Sequence, residues 1–365
     1  MHKKLRVGIL FGGKSAEHEV SLQSARNVIE AIDKAKYDVV LIGIDQQGRW
    51  LLNDTSEFLL NNRHPKLIRL QQASDTVALV PQSGGALTNI TTYQSVPALD
   101  VVFPILHGPF GEDGTMQGLL KLANVPFVGA GVLGAAIGMD KDVMKRLLRH
   151  ANIPVAPFLT FKQHDTNLAF TSVADALGLP LFVKPANLGS SVGVSKVHNK
   201  AQFQPAVSEA FQYDRKILIE SFIEGREIEC SVLGNDDPIA SVPGEVIAKH
   251  DFYSYEAKYI DEHGAVLAIP ADIPYEVAET IRALAIKVFA TLACEGLARV
   301  DFFLKPNGDV VVNEINTMPG FTSISMYPRL WEASGIAYAE LIDRLIQLAI
   351  ERYKREQQLK TSYES

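Results

Sequence analysis

The sequence feature that most constrains the fold is a stretch near the C-terminus in which two runs of β-branched and aromatic residues meet at Asn307-Gly308. An Asn-Gly pair between such runs is the strongest short-range signal for a β-hairpin. If Asn307-Gly308 forms a two-residue loop, Asp301 faces Glu314 and Arg299 faces Asn316. Because side chains alternate along a strand, all four then project from the same face of the sheet.

Two carboxylates that face each other across a hairpin repel and destabilise it. A divalent cation removes this conflict, since Mg²⁺ takes carboxylate and amide oxygens and commonly shares them with substrate phosphates. The alternative is a salt-bridged cluster of Asp301, Arg299 and Glu314 on a solvated face. The neighbouring Val and Phe residues indicate a covered sheet and therefore favour the metal. The alternative to this register is a longer loop, widened by Pro306 next to the turn.

Length and charge exclude several classes of protein. A chain of 365 residues is too long for one core and suggests two or three domains. The formal charge of −7 argues against a nucleic-acid-binding protein, which normally carries a basic face. No segment approaches the roughly 18 apolar residues of a membrane span, and the N-terminus lacks the features of a secretion signal. Cys230 and Cys294 fit no metal-binding spacing. We expect a cytoplasmic enzyme without nucleic-acid or membrane partners.

Residues 1–135 are predicted to form an N-terminal Rossmann-like α/β domain. A buried strand at Val7–Phe11, a helix and a second strand at Tyr37–Ile44 make a βαβ unit. Another strand, Asp100–Leu106, opens into the loop His107–Gly114. Ligands of open α/β sheets bind beyond the carboxyl ends of the strands, so this loop and the turn after the first strand are expected to border one site.

The segment from Gly8 to Ser15 matches the phosphate-loop pattern GxxxxGK[ST]. We reject the match, because such a loop begins at its first glycine so that its amides can surround phosphates. Here Gly8 lies inside the predicted strand, and Ile9, Leu10 and Phe11 are core residues. The dinucleotide fingerprint GxGxxG is absent as well, which argues against a dinucleotide-dependent oxidoreductase.

Residues 136–225 are predicted to form a second domain with an anion site. Lys141 lies in the first turn of a helix that Asp140 can cap, where the helix dipole favours an anion. Lys184 lies inside the strand Leu181–Pro185 and precedes the Gly/Ser loop, Asn187–Gly193. This arrangement suits phosphate binding, because the amides and hydroxyls of the loop donate hydrogen bonds while the ammonium supplies charge. The alternatives are a solvated surface lysine at 141 and a hairpin turn with a snorkelling lysine at 184.

The strand that ends at Glu220 leads into an edge suited to adenine. Backbone groups of residues 220–223 suit its Watson–Crick face, Phe222 and Ile223 suit its ring, and Glu227 can accept from ribose hydroxyls.

Residues 226–365 are predicted to form a third domain, which carries the acidic hairpin. A polar, tyrosine-rich stretch at about 249–264 has the features of an ordered loop or lid. The strand lysine, the Gly/Ser loop, the adenine edge and the acidic hairpin together predict a nucleoside triphosphate held between two sheets.

Taken together, these motifs resemble the D-alanine–D-alanine ligases of the ATP-grasp superfamily. The resemblance spans nearly the whole chain, and six motifs in the same order are highly specific. The motifs are Phe11-Gly-Gly-x-Ser-x-Glu17-x-Glu-Val-Ser21, His107-Gly-x-x-Gly-Glu-Asp-Gly114, Lys184-Pro-x-x-x-Gly-Ser-Ser-Val-Gly193, Tyr255-Glu-Ala-Lys-Tyr259, Arg299-x-Asp301 and Asn313-Glu-x-Asn-Thr-x-Pro-Gly320.

The resemblance implies a three-domain ATP-grasp ligase, with ATP held between two antiparallel-sheet α+β domains. It implies that ATP phosphorylates the carboxylate of one D-alanine and that the amine of a second attacks the acyl phosphate. The product, D-alanyl-D-alanine, serves peptidoglycan synthesis. A homodimer is also implied, as is a lid that closes to exclude water, because an acyl phosphate hydrolyses readily.

The resemblance also assigns ligands of the nucleotide and of the metal. Asp301, Glu314 and Asn316 would hold two Mg²⁺ ions, which Mn²⁺ can replace. The residues implied to bind ATP are Lys141, Lys184, Ser191, Glu220, Ser221, Phe222, Ile223, Glu227 and Lys258.

The implied substrate residues come from all three domains. Glu17, supported by a Ser190–Tyr259 link, would bind the ammonium of the first D-alanine, with His107 nearby. Arg299 and the backbone N–H of Gly320 would stabilise the oxyanion of the tetrahedral intermediate. The carboxylate of the second D-alanine or the γ-phosphate would be held by Lys258 and Ser325 together with the backbone of Met326.

Within the family, the Tyr259 position is often tyrosine in dipeptide ligases and phenylalanine in enzymes that join D-alanine to D-lactate. Tyr259 therefore favours the dipeptide. The alternatives are a D-alanine–D-lactate ligase, another ATP-grasp carboxylate–amine ligase, and a nucleotide-binding regulator without catalysis.

Overall fold

Three large sheets, each confined to its own part of the chain, organise the structure. The computed structural model describes residues 3–53, 59–60, 69–70, 75–166, 168–248, 265–360 and 362–363. None of the helices in these ranges has the length and apolarity that a bilayer crossing requires.

The N-terminal part of the chain forms a seven-stranded sheet. Its elements, in chain order, are β1 (Leu5–Gly12), α1 (His18–Ala31), β2 (Tyr37–Ile44), β3 (Trp50–Asn53), β4 (Leu59–Leu60), β5 (Arg69–Leu70), β6 (Asp75–Leu79), β7 (Leu87–Asn89), β8 (Ser95–Val96), β9 (Val101–Ile105) and α2 (Thr115–Leu122). The strand order is β8-β7-β6-β3-β2-β1-β9, and β4 and β5 form a separate pair. β1 runs parallel to β2 and β9, as the predicted βαβ unit requires.

The buried state of β1 excludes the phosphate-loop match. Ile9, Leu10 and Phe11 have no exposed surface. Gly8 is paired with Val40 on one side of the strand and with Val102 on the other. None of these residues can surround a phosphate, as the sequence analysis predicted.

The middle of the chain forms a four-stranded antiparallel sheet in the order β10-β13-β11-β12. Helices α5 and α6 cover the face that carries Val183, Ile217 and Ile219. Lys184 and Glu220 alternate with these residues and therefore project from the opposite face. The elements of this part are α3 (Val132–Met139), α4 (Lys141–His150), β10 (Phe158–Lys162), α5 (Phe170–Leu177), β11 (Leu181–Pro185), β12 (Ser195–Val197), α6 (Lys200–Tyr213) and β13 (Lys216–Ser221).

The last part forms an antiparallel sheet in the order β17-β16-β14-β18-β19, with β15 paired to β14. Helix α7 packs with Val300 and Phe302 in one core, so Arg299 and Asp301 lie on the other face. The predicted lid at 249–264 lies outside the described residues. The elements are β14 (Arg226–Gly234), β15 (Ile239–Ala240), β16 (Gly244–Ala248), β17 (Ala265–Ala268), α7 (Tyr275–Thr291), β18 (Gly296–Leu304), β19 (Val310–Asn316), α8 (Met326–Ala333) and α9 (Tyr338–Glu356).

The C-terminal helix α9 returns to the first sheet. Its side chains Leu341, Leu345 and Ala349 share one buried cluster with Phe103 and Val7 of that sheet. The first and last parts of the chain therefore have a common core.

The hairpin loop contains three residues, whereas the sequence analysis predicted two. Lys305 N–H donates to Asp309 O across the loop, at 2.9 Å, which leaves Pro306-Asn307-Gly308 as the loop. Leu304 consequently faces Val310, one position away from the predicted register. The two-residue loop is wrong because it would require the proline to pair with the opposite strand, and proline has no N–H to donate.

A β-bulge restores the predicted pairing farther from the loop. Asp301 faces Glu314, whereas Phe302 faces Val312, so Asn313 is an extra residue in β19. Beyond this bulge the predicted register is confirmed for all four polar residues of the hairpin.

Candidate functional site

A buried carboxylate marks the corner where the first sheet meets the Gly/Ser loop of the middle domain. Glu17 directly precedes α1 and is 6% exposed. Ser190 Oγ donates a hydrogen bond to Glu17 Oε1. A Cβ atom at Gly108 would lie 2.6 Å from Glu17 Oε2, and one at Gly189 would lie 3.5 Å from the same oxygen. The structure therefore brings Glu17 and Ser190 together, and glycines leave space for the carboxylate.

The Gly/Ser loop has a strained backbone at its centre. Ser190 and Ser191 have φ values of +54° and +60°, in the left-handed region that non-glycine residues rarely adopt. Such strain persists where surrounding contacts enforce it, and it is common at ligand sites.

His107 connects the first sheet to the segment after β19. Its Nδ1 lies 3.0 Å from Met318 O and its Nε2 lies 3.2 Å from Ser24 Oγ. A carbonyl only accepts, so Nδ1 carries the proton and the Ser24 hydroxyl donates to Nε2. Burial lowers the pKa of His107 to about 4, against a weaker opposing effect of the Met318 hydrogen bond. His107 is thus a neutral structural link beside Glu17.

Glu112 makes a second connection between the same two segments, and the sequence analysis did not select it. Its carboxylate accepts hydrogen bonds from Gly108 N–H at 2.7 Å and from Met318 N–H at 3.1 Å. Burial, followed by the nearby Glu17, raises the pKa of Glu112 to about 8. Its sequence signals were its position inside the predicted ligand-binding loop and its place as the glutamate of the motif His107–Gly114.

Lys141 joins the middle and last sheets. Its Nζ donates to Leu188 O in the Gly/Ser loop at 2.8 Å and lies 3.3 Å from Glu314 Oε2. The side chain is almost fully buried, so the alternative of a solvated surface lysine is wrong. The helix begins as predicted, with the Asp140 carboxylate accepting from two N–H groups of the first turn.

Lys184 and Glu220 form a buried ion pair on the cleft face of the middle sheet. Lys145, which the sequence analysis missed, lies 3.1 Å from the other oxygen of Glu220. The available signal was its spacing, since a residue four positions after Lys141 shares its helical face.

The predicted adenine edge follows β13. The N–H groups of Ser221 and Phe222 donate to Pro157 O and Pro180 O, so both are used within the protein. The Ser221 hydroxyl is likewise used, since it donates to Leu177 O. The N–H of Ile223 has no acceptor among the described residues.

Aromatic surface lies beside this edge. Phe222 is 37% exposed and its ring centroid is 6.2 Å from that of Phe182. Lys196 Nζ lies 4.2 Å from the Phe222 ring centroid, within cation–π range. Glu227 lies on β14, opposite Phe303 and hence on the cleft face of the last sheet.

The acidic hairpin carries a row of polar groups on its cleft face. Arg299 binds both carboxylate oxygens of Asp301, at 2.7 and 2.8 Å, and Asn316 Nδ2 donates to Asp301 at 2.9 Å. Arg299 Nε is also 2.8 Å from Glu229, which faces Asp301 from β14. Glu229 was missed, although it stands two residues after Glu227 and shares its face.

This row offers oxygen ligands, with arginine as counter-charge. Within the described ranges, no group of three or more His, Cys, Asp or Glu side chains has an arrangement that could hold a metal ion. The predicted metal ligands Asp301, Glu314 and Asn316 supply two carboxylates and one amide.

The segment after β19 ends at a helix N-terminus. A Cβ at Gly320 would lie 2.8 Å from Ser325 Oγ, which itself accepts from Thr322 N–H at 3.0 Å. Ser325 precedes α8, and Met326 is the first residue of that helix, with its side chain buried. The N–H groups of a first helical turn have no partner within the helix and attract anions.

These contacts connect all three parts of the chain, since Ser190 bonds to Glu17 and Lys141 contacts both Leu188 O and Glu314. Lys258 and Tyr259, which the sequence analysis also selected, lie outside the described residues.

Comparisons with known proteins place the chain in a family. Residues 6–130 match the family model described as D-ala D-ala ligase N-terminus, and residues 147–347 match D-ala D-ala ligase C-terminus. The chain is 60% identical over 361 residues to a D-alanine–D-alanine ligase of Shouchella clausii, with 98% of each chain covered. It is 55% identical over 362 residues to D-alanine–D-alanine ligase A of Escherichia coli, with 99% of this chain and 100% of that protein covered.

Solved structures give the same result. A D-alanine–D-alanine ligase from Coxiella burnetii superposes with a TM-score of 0.85 at 41% identity, covering 97% of this chain and 96% of that one. A D-Ala:D-Ser ligase from Enterococcus faecalis superposes with a TM-score of 0.84 at 36% identity, covering 95% and 100%. The predicted ATP-grasp fold is thereby confirmed.

Proposed function

The chain belongs to the D-alanine–D-alanine ligase family, and from this premise we propose that it uses ATP to join two D-alanine molecules into D-alanyl-D-alanine for peptidoglycan synthesis. The carboxylate of the first D-alanine takes the γ-phosphoryl group of ATP, and the amine of the second displaces phosphate from the acyl phosphate. The observation that carries the proposal is the position of Lys141. It contacts both the Gly/Ser loop, next to the Glu17–Ser190 corner, and Glu314 of the acidic hairpin.

ATP is proposed to lie between the middle and last sheets. Lys141, Lys184 and Ser191 would bind its phosphates, since a buried ammonium and the amides of a strained loop favour anions. The adenine would lie along Glu220–Ile223, where the Ile223 N–H has no acceptor in the part of the chain that the structure describes. Glu227, across the cleft, would accept from the ribose.

Asp301, Glu314 and Asn316 are proposed to hold two Mg²⁺ ions, with Mn²⁺ as a substitute. Their carboxylate and amide oxygens are the ligands that Mg²⁺ prefers, and its coordination is usually completed by phosphate oxygens and water. When bound, the ions would neutralise charge on the β- and γ-phosphates. A double variant, Asp301→Asn with Glu314→Gln, is expected to lose turnover while still folding, and the parent rate in this variant would contradict the metal site.

The first D-alanine is proposed to bind at the Glu17 corner. Glu17 would pair with its ammonium, held in place by Ser190 and, from outside the described residues, by Tyr259. His107, whose ring nitrogens are both engaged, would orient the surrounding segments without binding the substrate itself. Arg299 would stabilise the oxyanion that forms when the amine attacks.

The second D-alanine is proposed to bind at the start of α8. Its carboxylate would lie against Ser325 and the Met326 N–H, where the helix dipole favours an anion. The N–H of Gly320 would donate to the oxyanion, and Lys258 would contribute from the segment 249–264, which we propose closes over the site as a lid.

The larger organisation is also proposed. The domains are residues 1–135, 136–225 and 226–365, and the protein acts in the cytoplasm as a homodimer. Exposed apolar side chains in the first domain, among them Val80 and Leu122, support a dimer surface there.

Phosphate release with ATP, Mg²⁺ and a panel of D- and L-amino acids tests the proposal. Release that depends on D-alanine, with D-alanyl-D-alanine as product, is expected. Release without any D-amino acid, or dependence on another amino acid, would overturn the function.

A second specificity deserves a separate test, because a structural relative at 36% identity is a D-Ala:D-Ser ligase. With D-alanine, D-serine and D-lactate in competition, the dipeptide of D-alanine is expected to dominate. Tyr259→Phe is expected to raise the ratio of ester to amide product, and an unchanged ratio would count against the Ser190–Tyr259 link.

A further inference from the structure

Lys145 is a fully buried lysine behind the proposed nucleotide site. It lies on α4 one turn after Lys141, and it has no exposed surface. Its Nζ is 3.1 Å from Glu220 Oε2. Among the described residues, Glu220 is its only oppositely charged neighbour within 4 Å. Lys145 has no exposed surface, whereas Glu220 retains 4%, so we argue any role of Lys145 in binding through Glu220.

A second pair of charges fixes the position of α4 along β13. At the start of the strand, Lys216 Nζ donates to Asp140 Oδ1 at 2.7 Å and lies 3.3 Å from Asp142. At the end of the strand, the pair is reversed, with the carboxylate on β13 and Lys145 on the helix. The two contacts hold Lys145 and the Glu220 carboxylate in one arrangement.

The two lysines on Glu220 are not equivalent. Lys184 contacts Oε1 from β11, and its side chain retains 9% exposure, whereas that of Lys145 retains none. Burial alone would raise the pKa of Glu220, and the charges of Lys145 and then Lys184 reverse this and lower it. Lys184 is also proposed to bind a phosphate of ATP, whereas Lys145 is not proposed to contact any ligand.

The other charged groups near this pair do not replace Lys145. Glu314 acts on Lys145 from β19 but pairs with Lys141 at 3.3 Å. Replacing a buried ion pair by apolar residues is often neutral or stabilising, so stability alone does not require this one. A role in recognition explains a charge in this position better.

We infer that Lys145 is a positioning residue for nucleotide specificity, which holds Glu220 as a fixed, ionised acceptor for the 6-amino group of adenine. An ionised carboxylate accepts hydrogen bonds but donates none. Adenine carries an amino donor at its 6-position, whereas guanine carries a carbonyl acceptor there. The ionised Glu220 carboxylate accepts from adenine and repels the carbonyl of guanine. A protonated Glu220 would no longer distinguish ATP from GTP.

The inference rests on the proposed use of ATP. To test it, ligation is measured with ATP and with GTP, for wild type and for Lys145→Met, between pH 6 and pH 8. Lys145→Met is expected to reduce the ratio of kcat/KM for ATP over GTP by about tenfold, the factor expected for losing one charge-assisted hydrogen bond. The loss should appear mainly in KM for ATP. It should be larger at pH 6, where the carboxylate is more readily protonated, whereas the wild-type ratio should not change.

Three further variants complete the test. Lys145→Arg keeps the charge and is expected to restore much of the ratio. Glu220→Gln removes the ionised acceptor directly and should reduce the ratio without adding pH dependence, so the inference remains testable if Lys145→Met does not fold. Lys162→Met removes an exposed lysine of the same sheet and serves as the matched control.

An unchanged ratio in Lys145→Met or in Glu220→Gln would overturn the inference. A wild-type protein that ligates nothing with ATP would instead overturn the proposed function, so the two failures are distinguishable.

Discussion

At the scale of single residues, the site depends on polar groups that are buried and nearly all paired. Glu17 lies between two glycines and a serine hydroxyl, and His107 uses both ring nitrogens within the protein. Such groups are sensitive to small changes, because a buried polar atom that loses its partner keeps the full cost of desolvation.

Gly108→Ala is expected to raise KM for D-alanine about tenfold or more while KM for ATP stays nearly constant. The new Cβ would lie 2.6 Å from Glu17 Oε2, at a residue with φ of +76°. Gly48→Ala is the control, because Gly48 has a similar φ of +88° with no heavy atom within 4 Å of its Cβ position. Steady-state kinetics of both variants measure the effect, and equal KM values for D-alanine would contradict it.

The pKa of His107 predicts a pH dependence of stability. The pKa falls from its ordinary 6.5 to about 4 in the folded protein, so the unfolded chain binds the proton more readily. Stability is therefore lost as the pH falls from about 6.5 to about 4, by up to about 3 kcal/mol. Urea unfolding at pH 7 and pH 4.5 should show a smaller loss for His107→Gln than for wild type.

Glu112 has a raised pKa and acts in the opposite sense. Its contribution to the stability of the protein is lost as the pH rises from about 4.5 to about 8. It is present in both proteins, so its effect cancels in the comparison. An identical pH dependence of wild type and His107→Gln would refute the neutral, buried state of the histidine.

At the scale of elements, α4 and the hairpin β18–β19 position most of the charged groups. Helix α4 carries Lys141 toward the hairpin and Lys145 toward Glu220, and its N-terminus is tied to β13. In the hairpin, the longer loop and the bulge compensate each other, so that Asp301 still faces Glu314.

The cap of α4 is expected to contribute measurably to stability. Asp140 accepts from the N–H groups of Asp142 and Val143, both at 3.1 Å, and also binds Lys216. Asp140→Ala should lower the free energy of unfolding by about 2 kcal/mol, since it removes both contacts. Asp140→Asn keeps the capping oxygen and should cost about half as much. Equal losses in urea unfolding would show that the cap itself contributes nothing.

At the scale of the whole molecule, α9 holds the two ends of the chain together. It packs against the first sheet, and its buried Arg352 donates to the carbonyls of Phe127 and Gly129, the former at 2.8 Å. The Arg352 guanidinium also stacks on the Phe127 ring, 4.5 Å from its centroid, and lies 3.7 Å from Glu295. The relative placement of the first and last sheets depends on these contacts.

Arg352→Met is expected to lower the free energy of unfolding by about 3 kcal/mol, because two buried carbonyls lose their donor. Arg344→Met on the same helix is the control; Arg344 is exposed and pairs only with Glu340 among the described residues, so its loss should cost at most about 0.5 kcal/mol. Urea unfolding monitored by circular dichroism gives both values. Equal stability of the two variants would contradict this role of Arg352.

Local sequence patterns were enough to identify the elements and the chemistry that neighbouring residues encode. Strand alternation and the Asn-Gly turn located the hairpin and its acidic face, and a helix cap located Lys141. The phosphate-loop match was correctly rejected for Gly8, since a buried strand cannot wrap a phosphate. These inferences succeeded because residue period, turn preference and capping depend on neighbours within a few positions.

Which distant groups meet depends on how the elements pack. Lys145, Glu112 and Glu229 have partners in segments far away in the chain, and their local spacing indicates only the face or loop on which each lies, not the partner that it contacts. The hairpin register likewise came from a loop and a bulge that offset each other. Burial and charge pairing are properties of packed elements, and a one-dimensional pattern does not contain them.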